Sequence, residues 1–447
     1  MRALLSRLSA NREAQIVLAF GALNALAGLV ANRLLTQWVA PGPLGELYLY
    51  MNLGLWLTLP ASAGYLYVSR HWGVARERRA TAFFSRGLRQ GIIWQALFAG
   101  LGVVVFGALH VLSAPWWALL ALFVHCCAWA TVQLLSTIQS LERRRVIAGV
   151  LDLSTGPMRQ VALGAGALLA LRLLNLSLSG DALMVVQAGH SVVLGLAVFT
   201  LFALLMRRIA KQDKAAPDPA PEAGAELTAK SAFHYAFPFL ITAVATQIAT
   251  SSERFGLARR ADLPAIALFV QSVGLSTAMA GAGSQFLTNY FTPLIAQASA
   301  RPGNPLKNAA RLLRTYLSLA AVALLGLAIV VGFFPELLTS VFFGPRYARI
   351  APLLPLTTLG AACFSLAQAL SIVPYVTRDS VKPNVARVLS LVVYSTALLL
   401  VPLTGRIELG FARLFAGCQG VYLLLSVAVA CVELQRSRRL GTHTEAP

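Results

Sequence analysis

The sequence predicts an all-α polytopic membrane protein with twelve transmembrane helices in two pseudo-symmetric six-helix bundles. Three observations carry this expectation. Of the 447 residues, 57% are hydrophobic and only 12% charged, with a mean hydropathy of +0.69, against about 25% charge in a soluble domain. The apolar residues gather into twelve stretches, each long enough to cross a bilayer. The second six restate the first: Asn32-Arg33-Leu34-Leu35, Gly45 to Tyr50 and Asn52-Leu53-Gly54 are answered by Glu253-Arg254-Phe255-Gly256, Ala267-Leu268-Phe269 and Gln271 to Gly274.

In order, the stretches run Ile16 to Trp38, Leu44 to Ser69, Leu88 to Val111, Trp116 to Ile138, Val146 to Leu171, Ala182 to Met206, Phe233 to Ser252, Pro264 to Ala296, Leu312 to Phe334, Ala351 to Val376, Val385 to Leu403 and Leu409 to Val432. In hydrocarbon every backbone polar group must be satisfied within its own segment, so such runs form helices. The Met1 to Glu13 segment ahead of span 1 is basic and polar. The apolar run behind it is too long for a signal-peptide core, which predicts that span 1 is retained. Gly156-Pro157 interrupts span 5, and Pro238, Pro293 and Pro374 fall within spans 7, 8 and 10. Each predicts a bend, because proline removes a helix hydrogen bond. Arg207 to Lys230 holds Lys211, Asp213, Lys214 and three prolines with few large apolar residues, and reads as a cytosolic linker. The chain thus divides into an N-terminal lobe (1–206), the linker (207–230) and a C-terminal lobe with a basic tail (231–447).

Charge follows the membrane. Of the 37 Lys and Arg residues, 27 lie in or at the margins of the segments before spans 1, 3, 5, 7, 9 and 11 and the C-terminal tail, and 9 lie at or toward the opposite ends of the spans. Cationic loops resist translocation, so both termini are expected in the cytoplasm. The same asymmetry explains most of the net charge of +20 without a nucleic-acid partner. With 32 Arg against 5 Lys and many alanines, the chain has the look of a GC-rich bacterial coding sequence. Cys126, Cys127, Cys363, Cys418 and Cys431 show no metal-binding spacing and read as small apolar fillers.

Among polar residues inside spans, Arg159 stands out, because it lies near the middle of span 5, out of easy reach of either interface. A cation there costs at least about 2.5 kcal/mol and ordinarily faces a bundle interior or a wet cavity. Asp152, seven residues earlier, falls on the same face of a continuous helix and offers a charge pair. Arg33 and Arg254 occupy matching places near the outer ends of spans 1 and 7. Two readings are open for them: snorkelling to the headgroups, or facing one another from corresponding walls of a cavity between lobes, where alternating-access carriers place their sites. Glu253 adds an acid beside Arg254. Amides and histidines are frequent as well, including Asn24, Asn52, Gln95, Gln187, Gln247, Gln285, Asn289, Gln368, His125 and His190. Some must serve as interhelical hydrogen-bonding groups. A cavity of amides and arginines suits a sugar carrying phosphate, since Arg grips phosphate oxygens with two parallel hydrogen bonds.

Several stretches resemble the multidrug, oligosaccharidyl-lipid and polysaccharide exporter superfamily, and most closely its O-antigen and exopolysaccharide flippase branch. Arg33 to Tyr48 is similar to that family's first loop, with Gly64 and Tyr65 at the small-residue end of span 2. Tyr235-Ala236-Phe237-Pro238 followed by Ser252-Glu253-Arg254-Phe255 is similar to its span 7. Phe343-Gly344-Pro345-Arg346-Tyr347 followed by Ala351 to Pro355 is similar to its approach to span 10. The chain departs from the family at Glu46, beside Tyr48, where a neutral residue is usual, and at Leu263-Pro264-Ala265, where a glycine is usual.

The resemblance implies a flippase moving a lipid-linked oligosaccharide, on a polyprenyl pyrophosphate carrier, across the bacterial inner (plasma) membrane. Its partners would be that polyprenyl-linked glycan, membrane lipids and other polysaccharide-assembly proteins. Arg33, Arg159 and Arg254 would contact the headgroup, with Asp152 and Glu253 as coupling or charge-pair residues. No cofactor or metal is expected, and no Gly-x-x-x-x-Gly-Lys phosphate loop occurs, so the chain reads as a secondary-type transporter rather than an ATPase. The rivals are a cation-coupled drug exporter of the same fold, a noncatalytic subunit of a polysaccharide assembly complex, and a membrane glycosyltransferase. The last needs an acid or base presented near the membrane surface, and the first outward loop offers only Glu46.

Overall fold

The computed structural model describes residues 12–59, 81–109, 114–141, 145–172, 178–214, 229–299, 304–376, 381–400 and 406–443. Among them the chain is helical and forms no strand: α1 (Arg12–Trp38), α2 (Pro41–Leu57), α3 (Thr81–Ala108), α4 (Trp116–Leu141), α5 (Arg145–Thr155), α6 (Pro157–Arg172), α7 (Gly180–Lys214), α8 (Ala229–Arg260), α9 (Leu263–Ser299), α10 (Pro305–Phe333), α11 (Pro335–Phe342), a 3-10 turn (Pro345–Ile350), α12 (Leu354–Leu370), α13 (Ile372–Val376), α14 (Val381–Leu400) and α15 (Ile407–His443). Every expected span is represented by a helix, and spans 5 and 10 by two helices each. The chain is thus the all-α, twelve-span membrane protein that its hydropathy predicts. Seven of the helices are long and apolar enough to cross a membrane on length and composition alone.

Prolines act according to their setting. Pro157 opens α6 after a break at Gly156, a place where its missing N–H costs nothing. The interruption at Ser371 comes just before Pro374, whose ring would clash with the carbonyl of Leu370 four residues back. Pro238 and Pro293, by contrast, lie inside the unbroken helices α8 and α9. Between α1 and α2 the connection is only residues 39–40, so Gly45 to Tyr50 are helical rather than part of a loop. The equivalent connection between α8 and α9 is also two residues, with Asp262 Oδ1 accepting the Ala265 N–H at 3.0 Å. The expected linker lies mostly outside the described residues; α7 carries span 6 on to Lys214, and α8 starts at Ala229. Gly64 and Tyr65 also lie outside them.

The chain separates into two compact units, Val30–Gln247, and Met1–Leu29 with Ile248–Pro447, so the division falls inside α1 and α8. In the first unit, Val132, Leu135 and Ile138 of α4 pack with Leu151 of α5 and Leu194, Val198 and Leu205 of α7. In the second, Phe291 and Ile295 of α9 pack with Leu313 and Tyr316 of α10. Helix α10 shows the logic of a lipid-facing element. Its buried stripe runs Leu306, Ala309, Leu313, Tyr316, Ala320 and Leu324, while Val322, Leu325 and Phe333 on other faces are 71%, 64% and 77% exposed. Apolar surface of that extent suits acyl chains, not water. Because lipid is as apolar as a leucine core, close backbone approach at small residues holds the helices together. Gly360 of α12 meets α15 so tightly that a Cβ would lie 2.6 Å from Phe415 and 3.2 Å from the Ala416 Cα.

Candidate functional site

Each unit holds a cluster of buried polar and charged side chains. In the first unit it is built on α6. The break at Gly156 starts a fresh helix within span 5, and Arg159 falls in its first turn. A cation is ordinarily disfavoured there, because the unpaired N–H groups of a helix start already carry partial positive charge. Arg159 is half-buried, and its Nε is buried with no hydrogen-bond partner among the described residues. Gln160 Oε1 beside it, and Gln187 Nε2 and His190 Nδ1 one turn apart on α7, are in the same condition. Arg159 is the charged group that both His125 and His190 feel most strongly, and Tyr48 of α2 lies within its own electrostatic reach. The break also separates Asp152 on α5 from Arg159 on α6, so seven-residue spacing does not place them on one helix face; the Asp152 side chain is outside the described residues.

Arg33 belongs to the same unit. α1 packs on α6 where a Cβ on Gly164 would meet Trp38 at 2.4 Å and the Leu35 backbone at 3.5 Å. At 1.5 Å of rise per residue, Arg33 is roughly 3 Å from that contact along its axis and Arg159 roughly 7.5 Å. Arg33 Nη1 is likewise buried without a hydrogen bond among the described residues. His125 is a satisfied core residue: Nδ1 lies 2.7 Å from Ser191 Oγ and the ring stacks on Trp129. Glu46 and Asp181 also have structural work. Glu46 Oε2 accepts the Gly180 N–H at 2.6 Å, and Asp181 accepts from the Tyr50 hydroxyl, so both carboxylates tie α2 to the positive start of α7.

In the second unit, Glu253 and Arg254 of α8 are joined by a residue the sequence reading passed over, Arg387 of α14. Its Nη1 donates to Gln419 Oε1 at 2.9 Å, and its guanidinium carbon sits 4.8 Å from the Phe364 ring and 4.9 Å from the Tyr422 ring. Glu253 is in electrostatic range of both Arg254 and Arg387. Tyr394, two turns beyond Arg387 on the same face, directs its hydroxyl toward Glu253 without closing a full hydrogen bond. Arg387 escaped notice because it lies three residues into span 11, where a cation normally marks the interface.

Other expected candidates fasten helices. Gln247 Nε2 donates to Asn52 O and Oδ1 at 2.9 and 3.2 Å, and Gln95 Nε2 donates to Leu57 O at 2.6 Å. Ser272, Ser276, Thr357 and Thr358 form a buried hydroxyl chain between α9 and α12 with spacings of 2.7 to 3.0 Å. The side chains of Gln285 and Asn289 are outside the described residues. All five cysteines are free, and among the described residues no group of His, Cys, Asp and Glu is placed to hold a metal.

No protein-family model and no curated protein matches the sequence. Solved structures do match over nearly the whole chain. The lipid II flippase MurJ, in an inward closed conformation, aligns with a TM-score of 0.59 at 15% identity, covering 97% of this chain and 93% of MurJ. A variant of the Vibrio cholerae MATE transporter VcmN aligns at 0.58 and 12% identity, covering 98% of each chain. An inward-facing multidrug resistance MATE transporter of the MOP superfamily aligns at 0.52 and 13% identity, covering 96% of this chain and 99% of that one. At such identities the likeness speaks for the fold, and the chain has the fold shared by MurJ and the MATE transporters of the MOP superfamily, as its sequence motifs implied.

Proposed function

We propose that this protein is a flippase that moves a lipid-linked oligosaccharide with a phosphate or pyrophosphate headgroup from the inner to the outer leaflet of the bacterial inner membrane by alternating access. Lobes 1–206 and 231–447 would be the moving bodies, joined by 207–230. The observation that carries the reading is Arg159, a guanidinium in the first turn of a helix that starts within a span. It has an unsatisfied buried Nε and no carboxylate bonded to it among the described residues. An anion there would gain from the guanidinium and from the helix start together. Half-helix N-termini within the membrane serve anionic substrates in this manner. The neighbouring amides Gln160 and Gln187 have the chemistry to bind sugar hydroxyls, while Arg33 and, in the other unit, Arg254 would add further headgroup contacts.

The likeness to MurJ, a lipid II flippase, is consistent with a lipid-linked substrate. The nearly equal likeness to VcmN supports a second reading, export of a small organic molecule in exchange for a cation. Leaflet-resolved labelling of lipid-linked saccharide in cells depleted of the protein separates them. Inner-leaflet accumulation, reversed by the wild type and not by Arg159→Ala, is expected. A normal leaflet distribution, with substrate-linked cation exchange on addition of organic cations, would replace the flippase reading with the second.

A further inference from the structure

We infer that Arg387 forms an anion-binding site of the phosphate class within the Ile248–Pro447 unit, with Glu253 as its resident counter-charge. The inference rests on the proposed anionic headgroup for its biological meaning, but the site is argued from its own geometry.

The guanidinium rests in the notch between two rings whose centroids are 6.1 Å apart and tilted by 36°. The rings belong to different helices, Phe364 to α12 and Tyr422 to α15, and Tyr422 is buried and further held by Gln368 Nε2 at 3.3 Å from its hydroxyl. Cation–π contact at 4.8 and 4.9 Å replaces part of the hydration lost in the membrane. The two rings lie toward one side of the guanidinium carbon rather than flanking it. The N–H donors lie in the guanidinium plane, around its rim. One of them is taken by Gln419 Oε1, itself buried, which fixes the rotation of the plane. The remaining N–H groups make no hydrogen bond among the described residues, and the side chain is half-buried rather than sealed. A braced guanidinium with part of its rim unused is preorganised for two-point contact with phosphate oxygens, so little ordering free energy is lost on binding.

Charge balance points the same way. Among the described residues, Glu253 from α8 acts on Arg387, with Cys418 and Tyr422 from α15 as its titratable neighbours, and Arg254 from α8 and Tyr394 from α14 act on Glu253 in turn. Glu253 is thus the carboxylate in electrostatic range of the Arg387 guanidinium among the described residues. A structural ion pair would have joined Arg387 to Glu253 directly. Instead the Arg387 side chain bonds to a neutral amide, and Glu253 acts on it only at range.

The test is binding of inorganic pyrophosphate, farnesyl pyrophosphate and phosphatidylglycerol to the purified full-length protein in neutral detergent, by calorimetry, with thermal melting as the folding control. We expect Arg387→Gln to lower pyrophosphate affinity by roughly tenfold or more, Arg387→Lys to recover little because ammonium lacks the planar fork, and Glu253→Gln to raise affinity. Phe364→Leu keeps the charge and removes one brace, so a loss of roughly threefold is expected from it, which decides the matter if Arg387→Gln does not fold. Preference for farnesyl pyrophosphate over phosphatidylglycerol identifies cargo as the source of the anion, and equal binding identifies bilayer headgroups. Unchanged affinity in Arg387→Lys and Phe364→Leu, or a fall in Glu253→Gln, would overturn the site. Normal binding with normal leaflet distribution in depleted cells would uphold the site while removing the flippase reading.

Discussion

At the scale of single residues, the proposed function depends on how buried charge is compensated. Arg159 is half-buried with an unsatisfied Nε in a helix's first turn among the described residues, a cost that an anionic partner would offset. Arg159→Ala is therefore expected to reduce transport at least about tenfold while leaving the protein folded, and Arg159→Lys to recover only part, because a point charge replaces a two-pronged donor. The Asp152→Ala, Arg159→Ala double variant distinguishes a salt bridge from a headgroup contact. Activity that returns in the double variant means a pair; activity that stays low in both means a site. Arg159 was legible in the sequence because a cation mid-span has few roles. Arg387 was not, since three residues into a span a cation reads as an interfacial anchor, and only the fold reveals its seat against Phe364 and Tyr422. The hydroxyl chain of Ser272, Ser276, Thr357 and Thr358 was equally hidden. Single serines and threonines are too common in spans to signal a partner.

Helices and their contacts set the next scale. All the expected spans were legible, because hydropathy and the requirement for internal backbone hydrogen bonding leave no alternative to helix. Helix breaks were less so: Gly156-Pro157 and the Ser371 region interrupt helices, whereas Pro238 and Pro293 lie within unbroken ones. Sequence names the residue that weakens a turn, but neighbouring helices decide whether the turn yields. Contacts at small residues give a direct comparison. Gly360→Ala drives a methyl group to 2.6 Å from Phe415 and is expected to destabilise by about 1–3 kcal/mol. Gly326→Ala on α10 meets nothing within 4 Å and is expected to stabilise by roughly 0.5–1 kcal/mol through helix propensity. Equal melting temperatures for the two in detergent would show that the α12–α15 approach is looser than described. At the start of α10, Asn304 Oδ1 accepts the N–H groups of Leu306 and Lys307 at 3.0 and 3.2 Å. Its replacement by Ala should cost about 1 kcal/mol in the same assay.

For the whole molecule, composition, twelve apolar stretches and an internal restatement led to the fold, and the alignments to MurJ and VcmN over nearly the full chain agree with it. Function is less legible at this scale, because one scaffold aligns with a lipid II flippase and a MATE transporter almost equally, and chemistry depends on a handful of side chains. The proposed function has an amphipathic, anion-headed lipid carried across the bilayer by this protein. The most direct measurement places purified protein in liposomes whose inner and outer leaflets are assayed separately for a short-chain polyprenyl-pyrophosphoryl saccharide. Transfer between leaflets that depends on the protein, and is lost in Arg159→Ala at unchanged melting temperature, is expected from the proposed function. Transfer equal to that of protein-free liposomes, or undiminished in Arg159→Ala, would contradict it.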